Sequence, residues 1–193
     1  TGVDLVIGQT QNLDVGLLVA AAGFGTSGAF TEIKLQDELA MIDVNCRAVV
    51  QMAHHFANRF KARGRGGLVL MSSIVAFQGA PRSANYAASK AFIQSFAEGL
   101  HVELKPHNVH VLAVASGPIR SGFEKRANMQ MNLAQTPDVV AKGALAALGK
   151  RTTTRPGWLS KFLGYSLITA PRWARVMIMA AIMGGMTKHQ QAH

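Results

Sequence analysis

Tyr86 and Lys90 stand four residues apart, a spacing that puts both side chains on one face of a helix. An ammonium beside a phenol favours the phenolate and lowers a pKa that is about 10 when unperturbed. The pair therefore reads as a proton-exchanging tyrosine tuned by a cation, a general acid and base. Three small-residue segments each follow an apolar run: Gly23-Phe-Gly-Thr-Ser-Gly28, Ser72-Ser73 and Ser116-Gly117-Pro118. In an open α/β sheet ligands bind beyond the carboxyl ends of the strands, and small residues there let a ligand come close to the backbone.

Those positions require elements that bring them together. Residues 15 to 23 are apolar without alternation, as a strand covered by helices on both faces should be. Leu35, Leu39, Ile42, Cys46, Val49, Ala53, Phe56 and Phe60 follow at steps of three and four, predicting one long amphipathic helix over 35–63. The glycine-rich, basic stretch after Phe60 ends it, and Leu68 to Met71 read as a second strand. A second helix fits 86–104, with Phe92, Phe96, Leu100 and Leu104 at intervals of four and Pro106 beyond its end; a third strand fits 109–114. Thr136 as N-cap, Pro137 in the first turn and Gly149 as terminator predict a further helix. Alternation of this kind gives an α/β class, a doubly wound parallel sheet with Rossmann-like crossovers.

In this setting the sequence resembles the short-chain dehydrogenase/reductase family, which carries Tyr-x-x-x-Lys with a Ser thirteen positions earlier; Ser73 stands thirteen before Tyr86. Asn45 matches the family's helix Asn, Ala20-Ala-Ala-Gly23 aligns with its Asn-Asn-Ala-Gly strand end, and Ser116-Gly117 with Ser121 align with its Pro-Gly and following Thr. The resemblance implies a carbonyl/alcohol oxidoreductase using NAD or NADP on an apolar or acyl-type small molecule. By it, Tyr86 protonates the carbonyl oxygen, Ser73 hydrogen-bonds that oxygen, Lys90 lowers the Tyr86 pKa and binds the nicotinamide ribose, and Asn45 holds a relay water. Ala21, Ala22, Gly23, Tyr86, Lys90, Ser116, Gly117, Ile119 and Ser121 would line the cofactor. It also implies a substrate lid over 118–133 and a homo-oligomer joined through helices 35–63 and 86–104. The alternative function is a Rossmann-like interaction scaffold that has lost nucleotide binding.

The family's opening strand and its Thr-Gly-x-x-x-Gly-x-Gly turn have no counterpart here, and the first residue is Thr1. The expectation is a partial domain with N-terminal strands missing and about 60 to 80 further residues upstream, given ordinary element lengths.

Composition bounds what remains. With 193 residues and 49% hydrophobic content the chain suits a single domain, 1–193, and excludes disorder. One Cys excludes a disulfide scaffold and fits a reducing compartment, hence a cytoplasmic location. No apolar run reaches the roughly 20 residues of a spanning helix. The His residues have no carboxylate or Cys partners at ligand spacing, so no metal is expected. The basic run from Arg59 to Arg65 lacks interleaved aromatics and reads as a helix C-terminus rather than a nucleic-acid contact.

Charge is uneven. Residues 1 to 110 hold 9 basic and 8 acidic side chains, whereas 111 to 193 hold 11 and 2. The extension 150–193 is basic and rich in Met, with Trp158, Phe162, Tyr165, Trp173, Met177, Met179, Met183 and Met186. It leaves four readings open: cover for an apolar pocket, a subunit contact, peripheral membrane contact through 158–188, or an ordinary helix pair closing the core.

Overall fold

The computed structural model describes residues 1–131, 133–167 and 169–191. Residues 132, 168, 192 and 193, which fall in the expected lid and extension, lie outside the described residues.

Four parallel strands stand in the order β1 (Leu17–Ala20), β2 (Gly66–Ser73), β3 (Val109–Ser116) and β4 (Thr153–Thr154). Period-2 alternation decides which side chains go where. Leu68, Leu70, Val109, Val111 and Ala113 point to one face and pack on α3 (Ala48–Arg63) and α4 (Ala84–Leu104), with Phe56, Phe60, Ile93 and Ala97 filling that layer. Val69, Leu112 and Val114 point to the other face, against Val140, Ala144 and Ala147 of α6 (Pro137–Ala147). Helices on both faces make the sheet doubly wound, as expected. Strands β2 and β3 run one or more residues beyond the apolar runs, because Ser72, Ser73, Ala115 and Ser116 continue the ladder. α1 (Gly2–Gln9) buries no residue and sits on α3, where Arg59 donates to the Thr10 and Leu13 carbonyls. Arg63 and Arg65 pair with Asp14, so the basic run anchors the loop before β1.

Three local expectations need correction. β1 is fully covered on one face only: Leu18 joins the α3/α4 core, whereas on the other face Leu17 is only partly buried and Val19 is 51% exposed. α6 lies over β2 and β3, so the second face of β1 is covered only at Leu17, and among the described residues no strand pairs with its free edge. The single helix over 35–63 is interrupted. α2 (Leu35–Ile42) passes through a π-turn at residues 43–47, where the Ala48 N–H bonds to the Asp43 carbonyl five residues back, before α3 begins. The extra residue slips the buried stripe by one. Glu38, Met41 and Asn45 are buried in place of Leu39, Ile42 and Cys46, and Leu35, Leu39 and Ile42 face outward. Thr136 occupies the N-cap position of α6 in extended backbone geometry but makes no capping bond with its side chain.

The C-terminal extension forms two helices, α7 (Gly157–Ser166) and α8 (Arg172–Met186). Among the described residues, no helix is long and apolar enough to cross a membrane, and no cluster of His, Cys, Asp or Glu could hold a metal ion.

Candidate active site

Register puts the chemistry on one rim. Ser73 pairs with Ser116 across β2 and β3, so both strands end at the same height. α4 then returns along the sheet and carries Tyr86 and Lys90 in its first two turns. A cavity of about 220 Å³ opens here, bordered by Ala21, Gly23, Ser73, Tyr86, Lys90, Ser116, Gly117, Ile119 and Ser121. Nine of the expected site residues are thus gathered in one place. Ala22 does not reach the cavity wall, and neither does Asn45.

Asn45 works from behind that wall. Fully buried in the π-turn, its Oδ1 accepts from the Phe24 N–H at 3.1 Å, and its Nδ2 donates to the Phe24 carbonyl at 2.8 Å and to Ser89 Oγ at 3.1 Å. It bolts the loop after β1 to α4. A Cβ at Gly23 would lie 2.9 Å from Asn45 Oδ1 and 3.4 Å from Lys90 Nζ, so only glycine lets this strand end sit so close. Glu38 provides a second bolt: Thr26 Oγ1 and Asn85 Nδ2 donate to its carboxylate, and Ser83 Oγ donates to the Thr26 carbonyl. Because Asn85 and Ser83 flank the start of α4, this network sets the turn that carries Tyr86. Sequence reasoning missed Glu38, whose burial depends on the one-residue slip in the helix.

The titrating pair behaves differently from the sequence expectation. Lys90 Nζ donates to the Met71 carbonyl at 2.9 Å and stands 5.8 Å from the Tyr86 ring centroid. Burial pushes its ammonium down to about 8, against a smaller opposing effect of the Cys46 thiol. Burial also pushes the Tyr86 phenol up to about 12, the neighbouring Ser73 hydroxyl pulling partly the other way. The phenol is therefore raised rather than lowered: loss of water costs the phenolate more than its neighbours return. Ser73 Oγ accepts from the Val75 N–H at 3.3 Å and donates to the Ser116 carbonyl at a long 3.4 Å, a bond readily exchanged for a ligand.

Apart from Ser72 and Gln78, the rest of the cavity is apolar. Phe123 of α5 (Phe123–Arg126) leans on Tyr86 with ring centroids 5.2 Å apart, and Met129 and Met131 line the wall beside it. α7 contributes Leu163, α8 contributes Met179, Met183 and Met186. One face of these helices thus borders the cavity, while Trp158, Phe162, Tyr165, Trp173 and Met177 are exposed. Ser160, absent from the sequence expectations, joins the halves: fully buried, it accepts from the Gly117 N–H and from Gln135 Nε2, each at 2.8 Å.

The family model for short chain dehydrogenase matches residues 2–132. A 7beta-hydroxysteroid dehydrogenase of Clostridium sardiniense is 28% identical over 160 residues, covering 81% of this chain and 61% of that protein. A very-long-chain 3-oxoacyl-CoA reductase of Phaeosphaeria nodorum is 31% identical over 171 residues, covering 80% and 50%. The chain thus spans between half and about three fifths of the length of these curated relatives. Among solved structures, a short chain dehydrogenase from Burkholderia cenocepacia in complex with NADP superposes with a TM-score of 0.80 at 25% identity, covering 92% of this chain and 76% of that one.

Proposed function

The chain belongs to the short chain dehydrogenase family, and on that premise we propose that it carries the proton-transfer centre of an oxidoreductase interconverting a carbonyl and an alcohol on a bulky apolar molecule, with NAD or NADP. The observation that carries this reading is the meeting of Ser73, Tyr86 and Lys90 on one cavity whose remaining wall is mostly apolar, with Ser72, Gln78, Ser116 and Ser121 as its polar members.

The residues present suit the nicotinamide end of such a cofactor. The Gly23 backbone stays open where a Cβ would strike Asn45, and Ser116, Gly117, Ile119 and Ser121 border the cavity close to Lys90. When bound, the cofactor supplies or accepts hydride. The protein handles the proton. With its pKa near 12, Tyr86 is protonated at neutral pH and donates from its Oη to the substrate oxygen as negative charge develops there. Ser73 Oγ turns its hydrogen from the Ser116 carbonyl to the same oxygen, which places a second donor on the developing oxyanion. Lys90, anchored on the Met71 carbonyl, keeps further N–H donors for the ribose hydroxyls. Phe123, Met129 and Met131, in the segment expected to form a lid, exclude water from the proton donor.

An apolar substrate follows from the wall. Lys90 is the only charged side chain bordering the cavity among the described residues, so a polar body would find few partners. The relatives' names point the same way, to a hydroxysteroid and to a very-long-chain 3-oxoacyl thioester. Self-association through the helices over 35–63 and 86–104 accompanies this reading, since Leu35, Leu39, Phe92 and Val102 are exposed on them; light scattering at micromolar concentration should give a dimer or larger. The test of activity is nicotinamide absorbance with steroid ketones, long-chain 3-oxo thioesters and small polar ketones. Turnover of the first two at least about tenfold faster than the last supports the assignment, each decade being about 1.4 kcal/mol of differential binding. No turnover on any of them favours the non-catalytic scaffold.

A further inference from the structure

α7 and α8 have two unlike faces. Toward the cavity they turn Leu163, Met179 and Met183. Away from it, α7 leaves Trp158 72% and Phe162 64% exposed, and α8 leaves Trp173 72% and Met177 64% exposed. The spacing of four in each pair makes a stripe along its helix. Exposed apolar residues scattered singly are ordinary, but two such stripes on consecutive helices, holding both tryptophans of the molecule, call for a partner.

Charge identifies that partner. After Asp138 the sequence has eight Lys and Arg residues and no Asp or Glu. Lys161 and Arg172, both exposed, lie next to Phe162 and Trp173. Aromatic and Met side chains rimmed by long cations are the composition of a helix lying in a bilayer interface, where rings enter the headgroup boundary and ammonium and guanidinium groups reach up to lipid phosphates. A second copy of this chain would bring the same cations face to face, a repulsive match. We infer that the outer faces of α7 and α8 dock on an anionic lipid surface, with Trp158, Phe162, Trp173 and Met177 entering the headgroup region. The inference goes beyond the proposed reaction, and its test involves no turnover.

Since the tryptophans occur only at these two positions, their emission reports on this surface alone. The full chain is titrated with vesicles of phosphatidylcholine alone and of phosphatidylcholine with about one third phosphatidylserine, and pelleted with each. The expected result is a blue shift and co-sedimentation at least about tenfold stronger with the anionic vesicles, weakening as salt screens the surface potential. Trp158→Ser with Phe162→Ser, both outward-facing, should lower co-sedimentation about tenfold with far-UV circular dichroism unchanged, and Lys161→Glu with Arg172→Glu should remove the anionic preference. Unchanged emission with all vesicles, or equal binding to neutral and anionic ones, overturns the inference. So does a blue shift that appears without lipid as protein concentration rises, with a dimer mass lost in the Trp158/Phe162 variant, since that assigns the face to a second copy.

Discussion

On one wall of the cavity, Ser73, Tyr86 and Lys90 are placed by strand register and by hydrogen bonds that Asn45 donates and that the Glu38 carboxylate and the Met71 carbonyl accept. On the other wall, which meets the first at the Tyr86 ring, the Met179 and Met183 side chains rest in an apolar cluster with Met129 and Val75 and have no directional bond to fix them. The first wall is specified by geometry, the second by volume and polarity. A reaction needs the former, because proton transfer fails when a donor is out of hydrogen-bond reach; an apolar body tolerates the latter, because unbranched thioethers adapt to its shape.

The largest expected effect lies on the first wall. Tyr86→Phe keeps the ring that packs on Phe123 and deletes only the proton, so it should lower carbonyl reduction about 10²- to 10⁴-fold with little change in thermal midpoint. Steady-state rates beside a melting curve check both halves. Retained turnover would move proton donation to another group and break the contrast between the walls.

The core at the other end of β2 should be equally intolerant. Phe60 is fully buried, and the φ of Gly66 is +151° at the place where a Cβ would strike the Phe60 ring. Phe60→Ala should cost about 3–5 kcal/mol in chemical denaturation, as expected when a large aromatic leaves a cavity that cannot collapse. Met183→Leu, on the soft wall, should cost under about 1.5 kcal/mol because volume is conserved, yet shift KM among bulky substrates. Similar losses at the two positions would erase the distinction.

Much of the first wall is legible in the sequence, and for an identifiable reason. The four-residue step from Tyr86 to Lys90 and the apolar runs ending at Ser73 and Ser116 are periodicities of regular elements, and regular elements carry their spacing into space. By resemblance Asn45 holds a relay water; the sequence does not show that its side chain also bolts the loop behind Gly23 to α4. The π-turn that buries it slips the phase of one helix by a residue, and the apolar stripe from Leu35 to Ile42 gives no sign of that slip. The rise in the Tyr86 pKa is equally hidden, since desolvation comes from residues distant in the chain, Phe123 among them. In α7 and α8 both faces are apolar, so periodicity cannot say which one closes the pocket.

Electrostatics on the first wall should appear in stability as well. Lys90 titrates near 8 when folded against an ordinary 10.5. Between those values the unfolded chain binds more protons than the folded one, so stability rises with pH across the window; below about pH 8 both states are protonated and the cost of the buried charge is fully present. The rise amounts to roughly 3 kcal/mol, because each tenfold loss of proton affinity is worth about 1.4 kcal/mol. Lys90→Met should flatten it. The hydrogen bond lost to Met71 displaces the whole curve without changing its slope, and Tyr86 contributes equally to both proteins, so the difference in unfolding free energy isolates Lys90. Parallel curves from pH 7.5 to 10.5 would show that the ammonium is not desolvated.

The smallest effect belongs to the seam between the walls. Ser160 comes from α7, yet its Oγ accepts from the Gly117 N–H at the end of β3 and from the Gln135 amide before α6. Ser160→Ala leaves both donors without that partner. A sealed donor would cost about 1–3 kcal/mol, but Gly117 borders the cavity, where water can reach it, so the expected loss is nearer 1 kcal/mol. The functional effect should be selective. With α7 less firmly tied to the strand end, Leu163 gains freedom over the substrate while Ser73, Tyr86 and Lys90 keep their own anchors; KM for bulky substrates should rise several-fold with kcat nearly unchanged. A fall in kcat as large as the rise in KM would mean that the soft wall helps to align the proton donor, and the two walls would then be one mechanical unit.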